Sequence, residues 1–359
     1  MAIITGFPGN NPLLQGTAGQ DFIYGNKRGT VTFTAGNDRI FGLAGNDRIA
    51  GDGIDITATG RGGNDTIQGG DGDDNIYGDA YDAESNGAGS LFGIGGNDTL
   101  YQNAGRGNLV GDAHVMQSGA KGGNDQLYGD GILAGDSYSF MNGAVGGNDL
   151  VSARSATSGS SLAGETYFSM LQDSVGGKDT LLGSNFRDFI SGDADDNLRD
   201  ASEGGNDRLN GYGGDDDLSG DAGNDMYDTA VGGNDVLRGG AGDDDIYGET
   251  KNLYNFAAGG DDKLYGGSGD DQLWGDGTLR DAASGGADKF YFSGNFGDDK
   301  IFDFRQGDGD QIVVQGLTQS EVQISIVGSD TVLTTLGDNS ITLVGFTGPL
   351  NPGVDIVFA

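Results

Sequence analysis

The sequence predicts an all-β fold, a parallel β-roll or β-solenoid of roughly ten coils that ends in an antiparallel β cap. Three observations predict it. A nine-residue pattern, G-G-x-G-x-D-x-U-x with U a large apolar residue, recurs in register along the chain. From residue 62 a longer period of about 27 residues contains two such nonapeptides and a variable third side. All 4 prolines lie outside the repeats, as a ladder of hydrogen-bonded strands requires.

Each residue type in the nonapeptide has a structural role. Its glycines allow a tight turn and close stacking, and its sixth residue supplies a carboxylate. The U side chain points inward, and only stacked copies can bury it. The pattern is complete in three segments, nearly complete in two and degenerate in the first copy, in this order: 239–247 (GGAGDDDIY), 69–77 (GGDGDDNIY), 266–274 (GGSGDDQLW), 42–50 (GLAGNDRIA), 211–219 (GYGGDDDLS) and 16–24 (GTAGQDFIY).

The charge of the chain points to a metal. It has 55 acidic and 19 basic residues, for a net charge of −36. Such a chain repels itself and is poorly ordered without counter-ions. Calcium prefers carboxylate and carbonyl oxygens, which the Gly-rich turns and their aspartates offer. We therefore expect calcium between stacked turns, on the order of 10 to 20 ions, as part of the fold.

Two sets of aspartates are the predicted metal ligands. The first set occupies the sixth position of a nonapeptide or its equivalent: Asp21, Asp38, Asp47, Asp65, Asp74, Asp98, Asp125, Asp149, Asp179, Asp207, Asp216, Asp235, Asp244, Asp262, Asp271 and Asp288. The second set follows the second U of a coil and closes it: Asp79, Asp112, Asp136, Asp193, Asp221 and Asp276. Glu165 and Glu249 close their coils at the same place.

The chain divides into four predicted regions. Residues 1–15 form an irregular lead-in with Pro8 and Pro12, and residues 16–61 hold degenerate repeats. Residues 62–286 form the regular solenoid, in which two U residues such as Leu237 and Ile246 recur in each coil. Residues 287–359 form the cap.

The third side of each coil has two interpretations. It contains apolar segments, which leave from the same edge of every coil: 113–116 (AHVM), 137–141 (SYSFM), 166–171 (TYFSML), 226–227 (MY) and 252–256 (NLYNF). They either fold back as a third strand that closes a satellite core, or form an exposed lateral interface.

The cap is predicted from a change of pattern. Residues 288–292, 301–304 and 310–314 read as longer, more aromatic strands. Residues 322–327, 331–336 and 340–344 then alternate apolar and polar residues, which is typical of half-buried strands. This region has a core that needs no calcium.

Composition narrows the function. The acidic balance disfavours nucleic acid and anionic membranes, and no apolar run is long enough to span a membrane. With 0 Cys, metal has to take the place of disulfides. The single histidine, His114, predicts no zinc site or triad and is interpreted as an incidental loop residue. Adjacent acids such as Asp73 and Asp74 fit metal ligation better than glycoside chemistry. We predict that the chain is not an enzyme.

The nonapeptides quoted above are the defining motif of the RTX, or haemolysin-type, calcium-binding proteins, which the chain resembles over nearly its whole length. The resemblance implies a right-handed parallel β-roll, calcium between its turns, and export through type I secretion machinery without a Sec signal peptide. Residues 355–359 (DIVFA) are similar to the uncleaved C-terminal export signal of that family. The third side departs from the family's two-sided roll. Because the repeats begin near residue 16, we expect no enzyme domain ahead of them.

Three functions remain open at this point. The first is a secreted, calcium-dependent structural protein that assembles with itself into a surface layer, matrix or filament. The second is a calcium-dependent module or adhesin that binds extracellular polysaccharide. The third is a polysaccharide-acting enzyme built on the solenoid.

Overall fold

A computed structural model describes the chain except residues 12, 27, 83–88, 336 and 338. Predictions for Pro12 and Leu336 therefore lie outside the described residues. Each coil of the described chain runs through three parallel sheets in turn, named here sheet 2, sheet 1 and sheet 3. One coil, for example, contributes Val236–Ala241 to sheet 2, Asp245–Tyr247 to sheet 1 and Asn252–Leu253 to sheet 3. The predicted β-solenoid is confirmed, and its coils have three sides.

The described strands are as follows, in spatial order. Sheet 1 has 15 strands, Ala2–Thr5, Asp21–Tyr24, Arg48–Ala50, Asn75–Tyr77, Gly107–Val110, Gly131–Ala134, Ser161–Ala163, Phe189–Ser191, Asp217–Ser219, Asp245–Tyr247, Gln272–Trp274, Asp298–Ile301, Ser340–Leu343, Asp330–Thr335 and Val322–Val327. Sheet 2 has 13, Leu14–Gln15, Arg39–Ala44, Thr66–Asp71, Thr99–Ala104, Gln126–Tyr128, Leu150–Ser152, Thr180–Leu182, Arg208–Gly213, Val236–Ala241, Lys263–Ser268, Lys289–Ser293, Gln311–Gln315 and Ile356–Phe358. Sheet 3 has 10, Thr30–Val31, Asp55–Ile56, Ser90–Leu91, Ala113–Met116, Ser137–Asn142, Ser169–Leu171, Asn197–Leu198, Asp225–Met226, Asn252–Leu253 and Thr278–Leu279.

The main core lies between sheets 1 and 2. Successive coils pair in register, so that Leu209, Leu237 and Leu264 stack on one another in sheet 2. The U residues of sheet 1, such as Leu218 and Ile246, face them and are fully buried. One side chain per strand is enough because each stacks on its copies above and below.

Sheet 3 has a core of its own. One apolar side chain per coil points into it, including Met116, Met141, Met170 and Leu253, each 0% exposed. Alanines such as Ala230 line the same core, and their small side chains allow the segments of the third side to pack closely. The third side is therefore a third strand that closes a satellite core, which is the first of its two interpretations.

The C-terminal region continues two of the three sheets. Sheet 3 ends at Thr278–Leu279, while Lys289–Ser293, Gln311–Gln315 and Ile356–Phe358 extend sheet 2 in parallel. The antiparallel cap is confirmed, and consists of two pairings among Val322–Val327, Asp330–Thr335 and Ser340–Leu343, the first of them preceded by the 3-10 helix Gln319–Glu321.

One strand prediction in this region is wrong. The strand expected at residues 301–304 lies earlier, at Asp298–Ile301. The reason is that Asp303 leaves the sheet and accepts backbone hydrogen bonds from Gly275, Asp276 and Gly277.

Among the described residues, no helix is both long and apolar enough to cross a membrane.

Candidate metal centre

A line of buried carboxylates runs along the solenoid where the main core meets the third side. We call it the buried column. Each coil contributes the acid that opens its sheet 2 strand and the acid that closes its sheet 1 strand, and none is more than 3% exposed. Its members are Asp38, Asp52, Asp65, Asp79, Asp98, Asp112, Asp125, Asp136, Asp149, Glu165, Asp179, Asp193, Asp207, Asp221, Asp235, Glu249, Asp262, Asp276 and Asp288.

Backbone hydrogen bonds fix the opening acids in line. The N–H of Asp65 donates to Asp98 Oδ1 at 2.6 Å, and the N–H of Asp98 donates to Asp125 Oδ1 at 2.6 Å. The closing acids are held by glycines of the neighbouring turn, as when Gly123 N–H donates to Asp112 Oδ2 at 3.0 Å. The carboxylate oxygens of Asp112, Asp125 and Asp136 that could ligate a metal all lie within 4.8 Å of one another.

In most of the acids that open a sheet 2 strand, one carboxylate oxygen accepts no hydrogen bond from the described residues. Asp65 Oδ2, Asp98 Oδ2, Asp125 Oδ2 and Asp235 Oδ2 are buried and have no hydrogen-bond partner among the described residues. A buried charged oxygen without a partner is costly, and a row of them repels itself. The arrangement is therefore stable only when a cation, or a proton, neutralises these oxygens.

The pKa values express the same cost. Burial raises the pKa of Asp125 well above its ordinary value, and the carboxylate of Asp136 raises it further. Burial and the charges of Asp79 and Asp65 do the same to the pKa of Asp98. A divalent cation that bound these carboxylates would stabilise their charged form and displace their protons to solvent.

Glycine makes room for the cation. A Cβ added to Gly78 would overlap both Asp98 Oδ2 and the carbonyl oxygen of Gly111, and one added to Gly111 would overlap Asp125 Oδ2 and the carbonyl oxygen of Gly135. Carboxylate and carbonyl oxygens thus converge where a side chain is missing. Hard oxygen donors of both kinds are what calcium takes in proteins, so the residues present fit calcium.

A second line of acids follows the turns between sheet 2 and sheet 1. We call it the nonapeptide row: Asp21, Asp47, Asp74, Asp188, Asp216, Asp244, Asp271 and Asp299. The same ladder holds it, since Asp216 N–H donates to Asp244 Oδ1 at 2.8 Å and Asp244 N–H to Asp271 Oδ1 at 2.9 Å. Asp244 Oδ2 and Asp271 Oδ2 again have no hydrogen-bond partner among the described residues. Burial raises the pKa of Asp244 to about 8 and that of Asp271 to about 7.

The nonapeptide row is interrupted between Asp74 and Asp188, where the coils carry other residues. Arg106 Nε lies 3.2 Å from Asp130 Oδ1, and Arg106 Nη2 donates to the Gly159 carbonyl oxygen. Thr157 N–H and Ser160 Oγ also donate to the Asp130 carboxylate, at 3.1 and 3.3 Å. A guanidinium and hydroxyls therefore satisfy here the oxygens that a cation would satisfy elsewhere.

Protein nitrogens also stand at both ends of the buried column. At the first end, Asn11 Nδ2 lies within 3.1 Å of five oxygens, namely both of Asp38 and the carbonyl oxygens of Phe7, Gly9 and Gly25. At the other end, Arg305 Nη1 donates to Asp276 Oδ2 at 2.8 Å. The second oxygen of Asp276 accepts from Gly286 N–H at 2.7 Å, so this predicted ligand has a protein partner on each oxygen.

The structure brings together the predicted site residues in these two lines. The buried column contains the closing aspartates and the acids from Asp38 to Asp288 that open sheet 2, and the nonapeptide row contains the remaining predicted ligands. Four acids were missed: Asp52, Asp188, Asp299 and Asp310. The signal was present, because Asp52 follows a U residue and a glycine like the other closing acids, and the other three stand two residues before a buried isoleucine.

The single histidine lies in a strand and not in a loop. His114 belongs to Ala113–Met116 of sheet 3, where its ring stacks 5.2 Å from that of Tyr138. Its Nδ1 lies 3.2 Å from Tyr77 Oη, and burial lowers its pKa. His114 is therefore part of a packed aromatic group.

Comparison with known proteins agrees with the geometry. The family described as RTX calcium-binding nonapeptide repeat (4 copies) matches residues 5–27, 34–53, 57–80, 173–198, 201–227, 229–250 and 256–277. The unmatched stretch between 80 and 173 contains the interruption at Arg106. No curated protein matches the chain.

Among solved structures, the extracellular lipase LipA from Serratia marcescens matches with 20% identity and a TM-score of 0.23, over 51% of this chain and 40% of the lipase chain. The match spans less than half of the lipase chain. RTX nonapeptide repeats bind several calcium ions per protein. The chain thus carries RTX calcium-binding nonapeptide repeats, which stack into a three-sided β-solenoid.

Proposed function

We propose that the chain is a secreted, calcium-dependent structural protein that folds around its ions outside the cell and then assembles with copies of itself. The observation that carries the assembly is a long, exposed and uncharged edge strand, Val322–Val327, in a chain with a net charge of −36.

Calcium ligation is assigned to the buried column and the nonapeptide row. The unpartnered oxygens support this assignment for acids such as Asp65, Asp98, Asp125 and Asp244. Each ion would bridge two successive coils, joining carboxylates to the glycine carbonyl oxygens beside them. At Asp276 the guanidinium of Arg305 takes the place of an ion, whereas Asp38, which accepts from Asn11 Nδ2, also lies with Asp52 and Asp65 in a group that could hold one.

The edge strand is the last strand of sheet 1. It pairs with Asp330–Thr335 on one side only, and no described residue pairs with its other side. Ile324 is 48% exposed and Ile326 is 62% exposed. Soluble proteins usually protect such an edge with charges, proline or a covering element, and this edge has none among the described residues. A second copy can add its own edge strand about a two-fold axis, which completes the hydrogen bonds of both.

Charge decides where copies meet. The long sides of the solenoid carry many exposed acids, such as Asp73, Asp215 and Asp243, so that two sides repel each other. The edge strand has no charged residue and contacts a partner without that cost.

A second contact would extend dimers into a layer or filament. Phe140 and Phe168 lie 6.1 Å apart on neighbouring coils of the third side and are about two-fifths exposed, like Phe92 further along. The satellite core leaves this patch exposed, as it does Phe256 on a later coil of the third side. Contiguous exposed aromatic surface is typical of contact sites.

The experiment is to measure molar mass by light scattering and to image purified chain in calcium at about 1 mM, within the range of extracellular calcium modules. We expect dimers or larger assemblies for the natural sequence. Ile326→Lys should give monomers, because it places a charge on the edge. Thr347→Lys, which adds the same charge at another exposed position of the cap, should assemble normally. A natural chain that stays monomeric at high concentration would refute the assembly.

A role without catalysis is part of the same proposal. The only histidine is stacked in an aromatic group, and the adjacent acids are divided between the two carboxylate lines and the surface.

Export is proposed through type I machinery, the route typical of RTX repeat proteins. Residues 355–359 would act as the signal before folding, since Ile356–Phe358 is a strand of sheet 2 in the folded chain.

A further inference from the structure

A groove runs along the solenoid between the outer face of sheet 1 and the third side. Stacked aromatic rings fill it toward both ends. On one side, Tyr138 and Tyr167 stack at 5.4 Å in the aromatic stack that contains His114. On the other side, Tyr247 and Trp274 stack at 4.4 Å, and Phe302 continues that stack.

At the register position that holds a ring in the Tyr247 stack, the two coils between these stacks carry serine, and Phe189 stands two residues earlier on one of them. Ser191, Ser219 and Tyr247 occupy the same register position on successive strands of sheet 1. The third side offers Asp195 and Gly223 at the corresponding level. The absence of rings leaves a cleft of about 350 Å³ in the groove.

The cleft has aromatic walls and a polar floor. Tyr167 is the last ring of one stack and Tyr247 the last ring of the other, and both line the cleft. Three strand spacings of about 4.8 Å separate their coils, or about 14 Å. The floor contributes Ser191, Ser219 and the Asp195 carboxylate, which accepts a hydrogen bond from Ser161 at 3.2 Å.

We propose that this cleft binds a short segment of a neutral saccharide lying along the solenoid axis. Pyranose rings have apolar faces that pack on aromatic side chains, and their hydroxyls need the donors and acceptors that line the cleft. The length between the two tyrosines accommodates more than one sugar ring. A polyanionic glycan is disfavoured, because the two carboxylates of Asp195 and Asp217 outnumber the one cation that lines the cleft, Lys251, in a strongly acidic chain. The nearby Arg187 is already paired with Asp217 at 2.5 Å.

This site is independent of the assembly proposed above, because it lies in the middle coils and not on the edge strand. Ile326→Lys protein should therefore keep saccharide binding, so that failure of one proposal is distinguishable from failure of the other.

The test is calorimetric titration of calcium-loaded full chain with maltohexaose, cellohexaose and N-acetylchitohexaose, and with an oligoguluronate as an anionic probe. We expect at least one neutral hexasaccharide to bind and the anionic one not to bind. Ser219→Tyr should weaken binding by about tenfold or more, because the new ring continues the stack from Tyr247 and fills the cleft.

The matched control is Thr180→Tyr, which adds the same ring to sheet 2 on the opposite side of the solenoid and should leave binding unchanged. If Ser219→Tyr protein does not fold in calcium, Asn224→Ala replaces it, with the same expected loss, because Asn224 also lines the cleft. The proposal is overturned if none of the three neutral hexasaccharides binds the natural chain, or if the filled cleft binds as tightly as the open one.

Discussion

The buried column and the nonapeptide row are built from the same kind of residue and the same backbone ladder, yet only one of them is continuous. The column has its acids in every coil from Asp38 to Asp288. The row lacks them between Asp74 and Asp188, where Arg106, Asp130 and Ser160 form a network instead. The solenoid keeps its register through both parts.

The difference teaches what the metal does. Calcium is needed where unpartnered carboxylate oxygens face one another, and it is dispensable where a protein nitrogen or hydroxyl reaches the same oxygens. Arg305 makes that substitution at Asp276, near one end of the column. The row permits the substitution within the solenoid because it lies at a turn near the surface. Between its ends, the column is enclosed by two cores.

The largest expected effect is that of removing calcium. In excess chelator both lines of acids repel themselves, and the chain should lose most of its β-structure, because metal binding and folding are one process here. Far-ultraviolet circular dichroism with and without calcium measures this. Cooperative melting of a full β-solenoid in chelator would contradict it.

Protons should replace calcium in part. Burial raises the pKa of Asp244 to about 8 and that of Asp216 to about 7, against an ordinary value of 3.8. The metal-free folded chain therefore binds protons more tightly than the unfolded chain. Its free energy of unfolding should rise as the pH falls from about 8 toward about 4, and be lowest above pH 8. Melting curves in chelator at about pH 5 and about pH 8 test the direction of this change. An equal or lower stability at pH 5 would contradict the prediction.

A single substitution should cost more in the column than in the row. Asp125→Asn removes a charge from a completely enclosed cluster with Asp112 and Asp136, and we expect a loss of about 3 kcal/mol in the free energy of unfolding. Asp244→Asn should cost about 1 kcal/mol, because the nonapeptide row lies at a turn beside the main core and is not enclosed between two cores. In both variants distant coils should remain folded, since a solenoid couples mainly to its nearest neighbours.

Urea titrations at fixed calcium give both losses on one scale. Equal losses would remove the distinction between the two lines, and complete unfolding by Asp244→Asn would contradict local coupling.

The smallest effect is expected at the interruption. Arg106→Ala should lower the free energy of unfolding by about 1 kcal/mol, because Arg106 is 53% exposed and its ion pair is screened by water. The number of bound calcium ions should not change. Lys121→Ala, which removes an exposed charge elsewhere, is the control. A changed calcium count by native mass spectrometry would mean that the interrupted turns bind metal after all.

Much of this fold could be predicted from the sequence because its rules are local. A sixth-position aspartate and a U residue two places later recur at fixed spacing, so both carboxylate lines and the main core were predictable from residues such as Asp244 and Ile246. Asp188 was missed because Phe186 and Arg187 obscure the glycine turn before it. The satellite core was only one of two alternatives in the sequence. Each coil contributes a single large apolar residue to it, such as Met226 or Leu253, and one residue shows no periodicity within its coil.

The substitutes for calcium could not be predicted. Arg106 reaches Gly159, and Arg305 reaches Asp276, through contacts that only the stacking of coils creates. The cleft could not be predicted either. It exists because Ser191 and Ser219 stand where neighbouring coils have aromatic rings, and the stacking of those rings is seen only in the structure.

The most direct measurement is a crystal structure of the chain grown in calcium, with anomalous scattering used to locate the ions. We predict ions beside Asp98, Asp125 and Asp244, shared between successive coils, and none in contact with Arg106 or Asp130. An aspartate of the buried column other than Asp276 that has no ion beside it in saturating calcium would contradict this prediction.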